Sequence, residues 1–254
     1  MDPMLQAFTG FMAENKGADG LPHRTPVIFF DMSTALYAQQ AVASTLFAQH
    51  VQGVKEGRKI EASLMESAAA VQAVRVMSGY REGPFKTTVA PSGTFKTADG
   101  WLQIIIVRDV EMERLANALC HPEWLDDPRF NSNKARRENY EAVTALVGDV
   151  FVTNTTAHWQ ASLSEAKLQN EAVQDYPTFV DHPQTEAVEA IARLTQSGSD
   201  IPWAVPNIPG MPRFESGTPL AIAPTKGEHT RAIMAEFGYN ETDIDRFLTD
   251  GVVA

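Results

Sequence analysis

The longest unbroken pattern lies over residues 32–50, where no Gly or Pro occurs and Leu36, Val42, Leu46 and Phe47 recur at roughly helical spacing with Ala between them. This predicts a helix. Ahead of it the apolar run "VIFF" (27–30) predicts a short buried strand or an extended lead-in, and Asp31 stands between the two. Residues 60–78 form a second Ala-rich helical run, separated from the first by the two-glycine turn "VQGVKEGRK". Both helices present small residues, which favours close packing. A shorter helix is expected near residues 1–13, followed by the Gly- and Pro-dense loop "NKGADGLPHRTP".

The pattern changes after the linker-like "SGYREGPFKTTVAPSG". "GTFKTADGWLQIIIV" predicts a hairpin with a strand at 94–96, a turn at Ala98-Asp99-Gly100 and a strand at 101–107. Helical segments follow at 110–119, 138–151 and 156–167, with breaks at Asp126-Asp127-Pro128 and Thr153-Asn154. Residues 178–194 read as a helix start and a strand-like return. Six prolines within 201–227 predict extended or edge structure. Two amphipathic helices close the chain; the second has Asn240 as N-cap and Asp243 at the capping-box position. Strands alternating with helices indicate α/β or α+β. The first 80 residues hold helices and almost no strand, so either a partner supplies their sheet or the region is a helical layer.

Composition narrows the function classes. A chain of 254 residues can bury a substantial core. Its 21 basic against 32 acidic residues, a formal charge of -11, argue against a nucleic-acid binder, which needs a basic face. Cys120 is the one cysteine, which leaves no intrachain disulfide and suits a reducing cytoplasm. No apolar run approaches a membrane span, and the N-terminus has an acid, Asp2, in place of a basic signal region.

Among candidate chemistry, Asp31 leads. As an acid before a helix it reads as an N-cap. As a carboxylate on a helix N-terminus beside Phe29 and Phe30 it also reads as a nucleophile toward an acyl group. The six histidines, His23, His50, His121, His158, His182 and His229, show no zinc spacing, and no metal is expected. Cys120 beside His121 reads as a buried structural thiol. No GxSxG, GxGxxG or P-loop occurs. Lys55, Arg58 and Lys59, like Lys134, Arg136 and Arg137, read as solvated charge.

Six segments in order resemble the class III CoA-transferase family, the carnitine/bile-acid/formyl-CoA type. These are "DPMLQAFTGFM", "FFDMSTALYAQQAVASTLFAQH", "GRKIEASLMESAAA", "APSGTFKTADGWLQI", "HPEWLDDPRFNSNKARREN" with "TTAHWQASL", and "KGEHTRAIMAEFGY" with the final "GVV". The resemblance implies an α/β chain carrying part of that fold: a helical remainder of the large nucleotide-fold domain and a small α+β domain. Residues 1–80 would hold the remainder with the Asp31 helix, 81–92 a linker, 93–180 the small domain, and 181–254 a return linker and a C-terminal segment packing on the large domain.

It implies a CoA-transferase in which Asp31 attacks an acyl-CoA thioester, forms a mixed anhydride and then a CoA thioester, and passes CoA to a small carboxylic acid. CoA is a substrate, with no bound cofactor. A homodimer is implied, together with a separate N-terminal half bearing most CoA contacts, because this chain starts after that half. The racemase branch carries a His where this chain has Met1, beside Asp2, which disfavours an acyl-CoA racemase or dehydratase-like enzyme. A truncated, non-catalytic interaction subunit is the other alternative.

Overall fold

The computed structural model describes residues 1–17, 19–196, 199, 201–218, 221 and 223–254. The chain divides into two compact units, Met1–Ala90 with Asp126–Val143, and Pro91–Leu125 with Thr144–Ala254.

The first unit is helical: α1 (Asp2–Phe8), α2 (Phe11–Glu14), α3 (Phe29–Gln52), α4 (Leu64–Val71), α5 (Ala73–Glu82) and α7 (Asn133–Glu138). Its described residues contain no strand beyond an isolated bridge between Lys16 and Pro22. Helix α4 packs against α3, as the small faces of the two runs led us to expect, and α1 packs against α3 as well. Three aromatic rings seal that junction, with Phe11 edge-on to Phe30 at 5.7 Å and Phe29 5.8 Å from Phe30. Phe30 is fully buried.

Helix α3 starts at Phe29, three residues earlier than the pattern predicts, and "VIFF" forms no strand. Its C-terminus stops at Gly53, whose φ of 68° is the left-handed conformation that glycine adopts without a Cβ penalty. The second run begins later than expected, at a full capping box: Ser63 Oγ accepts from the Glu66 N–H at 3.1 Å, and Glu66 Oε2 accepts from the Ser63 N–H at 3.1 Å. That run is broken at Gln72, whose side-chain amide donates to Thr9 Oγ1 and Ala68 O, both at 3.0 Å. No Gly or Pro marks the break, which coincides with this bond to a residue 63 positions away. Arg136 of α7, expected to be solvated, is fully buried; it donates from Nε to Ala90 O at 2.7 Å and from Nη1 to Phe130 O at 2.9 Å. Two carbonyls inside the unit thereby gain a charged donor.

The second unit holds β1 (Ser92–Lys96) and β2 (Trp101–Ile105) as the predicted hairpin, with Thr94 opposite Gln103, and β3 (Asn170–Ala172) as a third antiparallel strand on β2. Along β2, Leu102 and Ile104 are buried while Trp101, Gln103 and Ile105 face outward, the alternation of a half-covered sheet. Helices α6 (Asp109–Ala118) and α9 (Thr156–Glu165) pack together, and α9 lies on β2 and β3. Helix α8 (Tyr140–Phe151) ends at Phe151, whose ring meets Phe95 at 5.4 Å and Trp159 at 5.5 Å, while its carbonyl accepts from Trp159 Nε1 at 2.8 Å.

Short helices α10 (Tyr176–Val180) and α11 (Pro183–Ala187) precede the β4 (Ile191–Leu194) and β5 (Trp203–Pro206) ribbon, in line with the predicted return and edge. Residues 219, 220 and 222 of the Pro-rich stretch lie outside the described residues. Helices α12 (Thr230–Glu236) and α13 (Glu241–Thr249) close the chain. Asn240 caps α13 by accepting from the Asp243 N–H at 2.9 Å. The return bond to Asp243 comes from the Asn240 side-chain amide, at 2.9 Å, so the predicted box forms through the side chain.

Candidate functional site

Asp31 occupies the third position of α3 and is not its N-cap, which corrects the first of the two readings of this residue. The cap position belongs to Ile28, which offers no side-chain acceptor. The acceptor comes from α1. Asp2 is 1% exposed, and its Oδ2 accepts from the Phe30 N–H at 2.6 Å and, more loosely, from the Asp31 N–H at 3.3 Å. Its Oδ1 accepts from Gln6 Nε2 at 2.6 Å. Gln6, one turn on and equally buried, uses Oε1 to accept from the Thr25 N–H at 2.9 Å, which fixes the chain leading into α3.

The four N–H groups at the start of a helix need partners from outside its ladder. Here three of them have one: Phe29 gives to Val27 O at 2.9 Å, and Phe30 and Asp31 give to Asp2, before the ladder begins with Met32 giving to Ile28 O at 3.1 Å. The Asp31 side chain is half-buried, and among the described residues its carboxylate makes no hydrogen bond or ion pair. An acid in the first turn still gains from the helix dipole. The arrangement is therefore a first-turn carboxylate beside the Phe29–Phe30 pair with its lone pairs uncommitted among the described residues.

Two concavities flank this helix start. One, of about 590 Å³, is lined by Thr9, Phe11, Phe29, Gln72, Arg75 and Tyr80 among others. The other, of about 340 Å³ and mostly apolar, follows α3 past Met32, Leu36 and Tyr37. Phe29 and Val71 line both; Asp31 lines neither. The cation of the larger cavity is already paired, since Arg75 donates from Nε to Glu14 Oε2 at 2.7 Å. This bond holds the Glu14 carboxyl below its usual range.

The other residues singled out in the sequence are not brought to Asp31. Lys55, Arg58 and Lys59 are exposed past the C-terminus of α3, and Lys59 pairs with Glu61. Cys120 is exposed at a φ of 62°, not the buried thiol expected. His121 stacks on Trp124 at 4.7 Å and bonds Glu123 through Nδ1 at 2.8 Å. Among the described residues no group of His, Cys, Asp and Glu forms a metal-holding cluster. No helix among them is long and apolar enough to cross a membrane. Asp2 and Gln6 are the residues that sequence reasoning missed. Neither lies in a local motif, because the helix that Asp2 caps begins far along the chain.

Comparison with known proteins places the chain. A family model described as CoA-transferase family III matches residues 1–230. An acyl-CoA transferase of Fusarium pseudograminearum is 26% identical, over 99% of this chain and 57% of its own length. A succinate–glutarate CoA-transferase of Agrobacterium fabrum is 28% identical, over 92% of this chain and 60% of its own. The crystal structure of a CAIB/BAIF family protein from Brucella suis superposes with a TM-score of 0.77 at 25% identity, covering 92% of this chain and 62% of that one. The chain thus spans about three-fifths of the length of the relatives it matches.

Proposed function

The chain belongs to CoA-transferase family III, and from that membership we propose that it moves CoA from an acyl-CoA to a small carboxylic acid through covalent intermediates on Asp31. The observation that carries this reading is the Asp31 carboxylate in the first turn of α3, without a hydrogen-bond partner among the described residues.

In the proposed mechanism the carboxylate attacks the thioester carbonyl. The new C–O bond forms as the C–S bond breaks, CoA leaves as thiolate, and an aspartyl–acyl anhydride remains. The thiolate then attacks the Asp31 carbonyl, releasing the donor acid and leaving a CoA thioester on Asp31. The acceptor carboxylate attacks that thioester and expels CoA thiolate. The thiolate takes the acyl group from the second anhydride, which yields the new acyl-CoA and regenerates the Asp31 carboxylate. The helix dipole favours the anion at each return to the carboxylate. Dicarboxylic donors and acceptors are the first substrates to try, given the succinate–glutarate enzyme among the relatives.

Helix α3 buries just Phe30 and Ser33, while Leu36, Leu46 and Phe47 are 69%, 60% and 69% exposed. We take this face as the seat of a segment that corresponds to the remaining two-fifths of the relatives' length and binds CoA, within a dimer of the assembled unit. The same exposed face supports the second reading, in which the chain is an interaction subunit without chemistry of its own.

The discriminating experiment is a CoA-exchange assay with succinyl-CoA and glutarate. The chain is assayed alone and together with the segment encoded immediately upstream, beside Asp31→Asn. Turnover in the native chain that Asp31→Asn abolishes supports the enzyme. Turnover that survives Asp31→Asn removes Asp31 as the nucleophile, and no turnover in either assembly leaves the interaction subunit.

A further inference from the structure

We infer that Arg24 binds the far carboxylate of a dicarboxylic acyl group while Asp31 attacks the carbonyl at its other end. This rests on the reading of Asp31 as nucleophile.

One buried pair brings the two residues together. Gln6 and Asp2 are both buried, and Gln6 Nε2 gives to Asp2 Oδ1 at 2.6 Å. At one end of the pair, Gln6 Oε1 accepts at 2.9 Å from the N–H of Thr25, the residue after Arg24. At the other end, Asp2 Oδ2 accepts at 2.6 Å from the N–H of Phe30, the residue before Asp31. The backbones that carry the two side chains therefore stand a bridge of two side chains apart. The Arg24 backbone is held from its other side as well. The His23 N–H gives to Asn15 O at 2.9 Å, and Asn15 Nδ2 gives to His23 O at 2.7 Å. Pro22 and Pro26 fix their own φ, and Pro26 restricts Thr25 to extended backbone.

This pinned stretch leaves the Arg24 guanidinium free. It is exposed and, among the described residues, has no hydrogen bond or ion pair. Two cations around it are committed: His23 is held by Asp19 at 3.0 Å, and Arg75 by Glu14 at 2.7 Å. A guanidinium meets a carboxylate with two parallel N–H donors and keeps its charge throughout the working pH range. A backbone already fixed lowers the ordering cost of such a contact.

An acyl-CoA substrate offers two kinds of oxyanion, the phosphates of CoA and the free carboxylate of a dicarboxylic acyl group. The whole pantetheine arm separates the phosphates from the thioester. A few methylenes separate the free carboxylate from it. The short bridge between the Arg24 and Asp31 backbones fits the second spacing.

The experiment mixes the full chain, together with the upstream-encoded segment, with hydroxylamine and either succinyl-CoA or butyryl-CoA. The two acyl groups have the same number of carbons and differ in the far carboxylate. Modification of the Asp31 peptide is followed by mass spectrometry at rising acyl-CoA concentration. The expected result is that Arg24→Gln raises half-saturation by succinyl-CoA about tenfold, with the maximal rate and the butyryl-CoA curve unchanged. Arg24→Lys, which keeps the charge without the fork, should recover part of the loss. Lys16→Ala, a change of an exposed cation in the same loop, should move neither curve. An unchanged succinyl-CoA curve in Arg24→Gln overturns the inference, as does a native protein that takes butyryl-CoA more readily than succinyl-CoA. Equal losses with both acyl-CoAs overturn it too, and assign Arg24 to the CoA phosphates. If native Asp31 is modified by neither, the nucleophile reading fails and this inference with it, a result distinct from any outcome in the variants.

Discussion

Replacing Phe30 with Ala should loosen the junction on which Asp31 stands. The Phe30 side chain is fully buried, so the substitution removes its whole transfer free energy and leaves a cavity beside the Phe11 and Phe29 rings. It also removes the edge-on contact with Phe11 at 5.7 Å and the tilted contact with Phe29 at 5.8 Å. Buried Phe→Ala changes cost about 3–5 kcal/mol, and an aromatic pair contributes about 0.5–1.5 kcal/mol within that. Phe30→Leu keeps most of the volume and loses the ring contacts, so it should cost about 1–2 kcal/mol. The assay is urea unfolding followed by far-UV circular dichroism, with hydrogen exchange on peptides from α1 and α3. Both helices should gain exchange in Phe30→Ala, because a loosened Phe30 also weakens the bond from its N–H to Asp2 of α1. A cost below about 1 kcal/mol, or faster exchange in α3 with α1 untouched, would refute the account of how this helix start is held.

Two further expectations follow from other parts of the structure. Asp99, in the β1–β2 turn, accepts from the Thr156 N–H at 2.7 Å and from the Thr156 hydroxyl at 2.9 Å, bonds that hold its carboxyl below the ordinary aspartate value. A depressed folded value means that the unfolded chain binds more protons. This contribution is therefore complete above the unfolded carboxyl range and is lost as pH falls through the depressed one. The Thr156 amide, followed by NMR during acidification, should hold its position until below the ordinary range; loss of protection well above that range would contradict the assignment. Substituting Leu36, Leu46 and Phe47 with Gln should change the stability of the isolated chain by no more than about 0.5 kcal/mol each, since all three are exposed, while reducing concentration-dependent association measured by sedimentation. Unchanged association would remove α3 as a docking face.

The sequence carried the elements whose signals are local. The hairpin, the alternation along β2, the cap at Asn240 and the helical character around Asp31 all follow from neighbours a few residues apart. The family was legible as well, because its segments occur in order along the chain. What escaped notice depends on distant partners. The break at Gln72 accompanies a bond to Thr9, and the burial of Arg136 depends on carbonyls of Ala90 and Phe130. The start of α3 at Phe29 goes with an acceptor from Asp2 that no pattern near residue 29 could reveal. Asp31 was misplaced as a cap, because the acceptor at this helix start comes from Asp2 on another helix.

The central claim is that Asp31 becomes covalently acylated, and the most direct test is to catch it. The assembled protein is incubated with succinyl-CoA and hydroxylamine, digested, and the peptides covering α3 are sequenced by mass spectrometry. The account predicts a hydroxamate at Asp31, absent without succinyl-CoA and absent in Asp31→Asn. Steady CoA exchange with Asp31 unmodified, or a hydroxamate on another carboxylate, would contradict it.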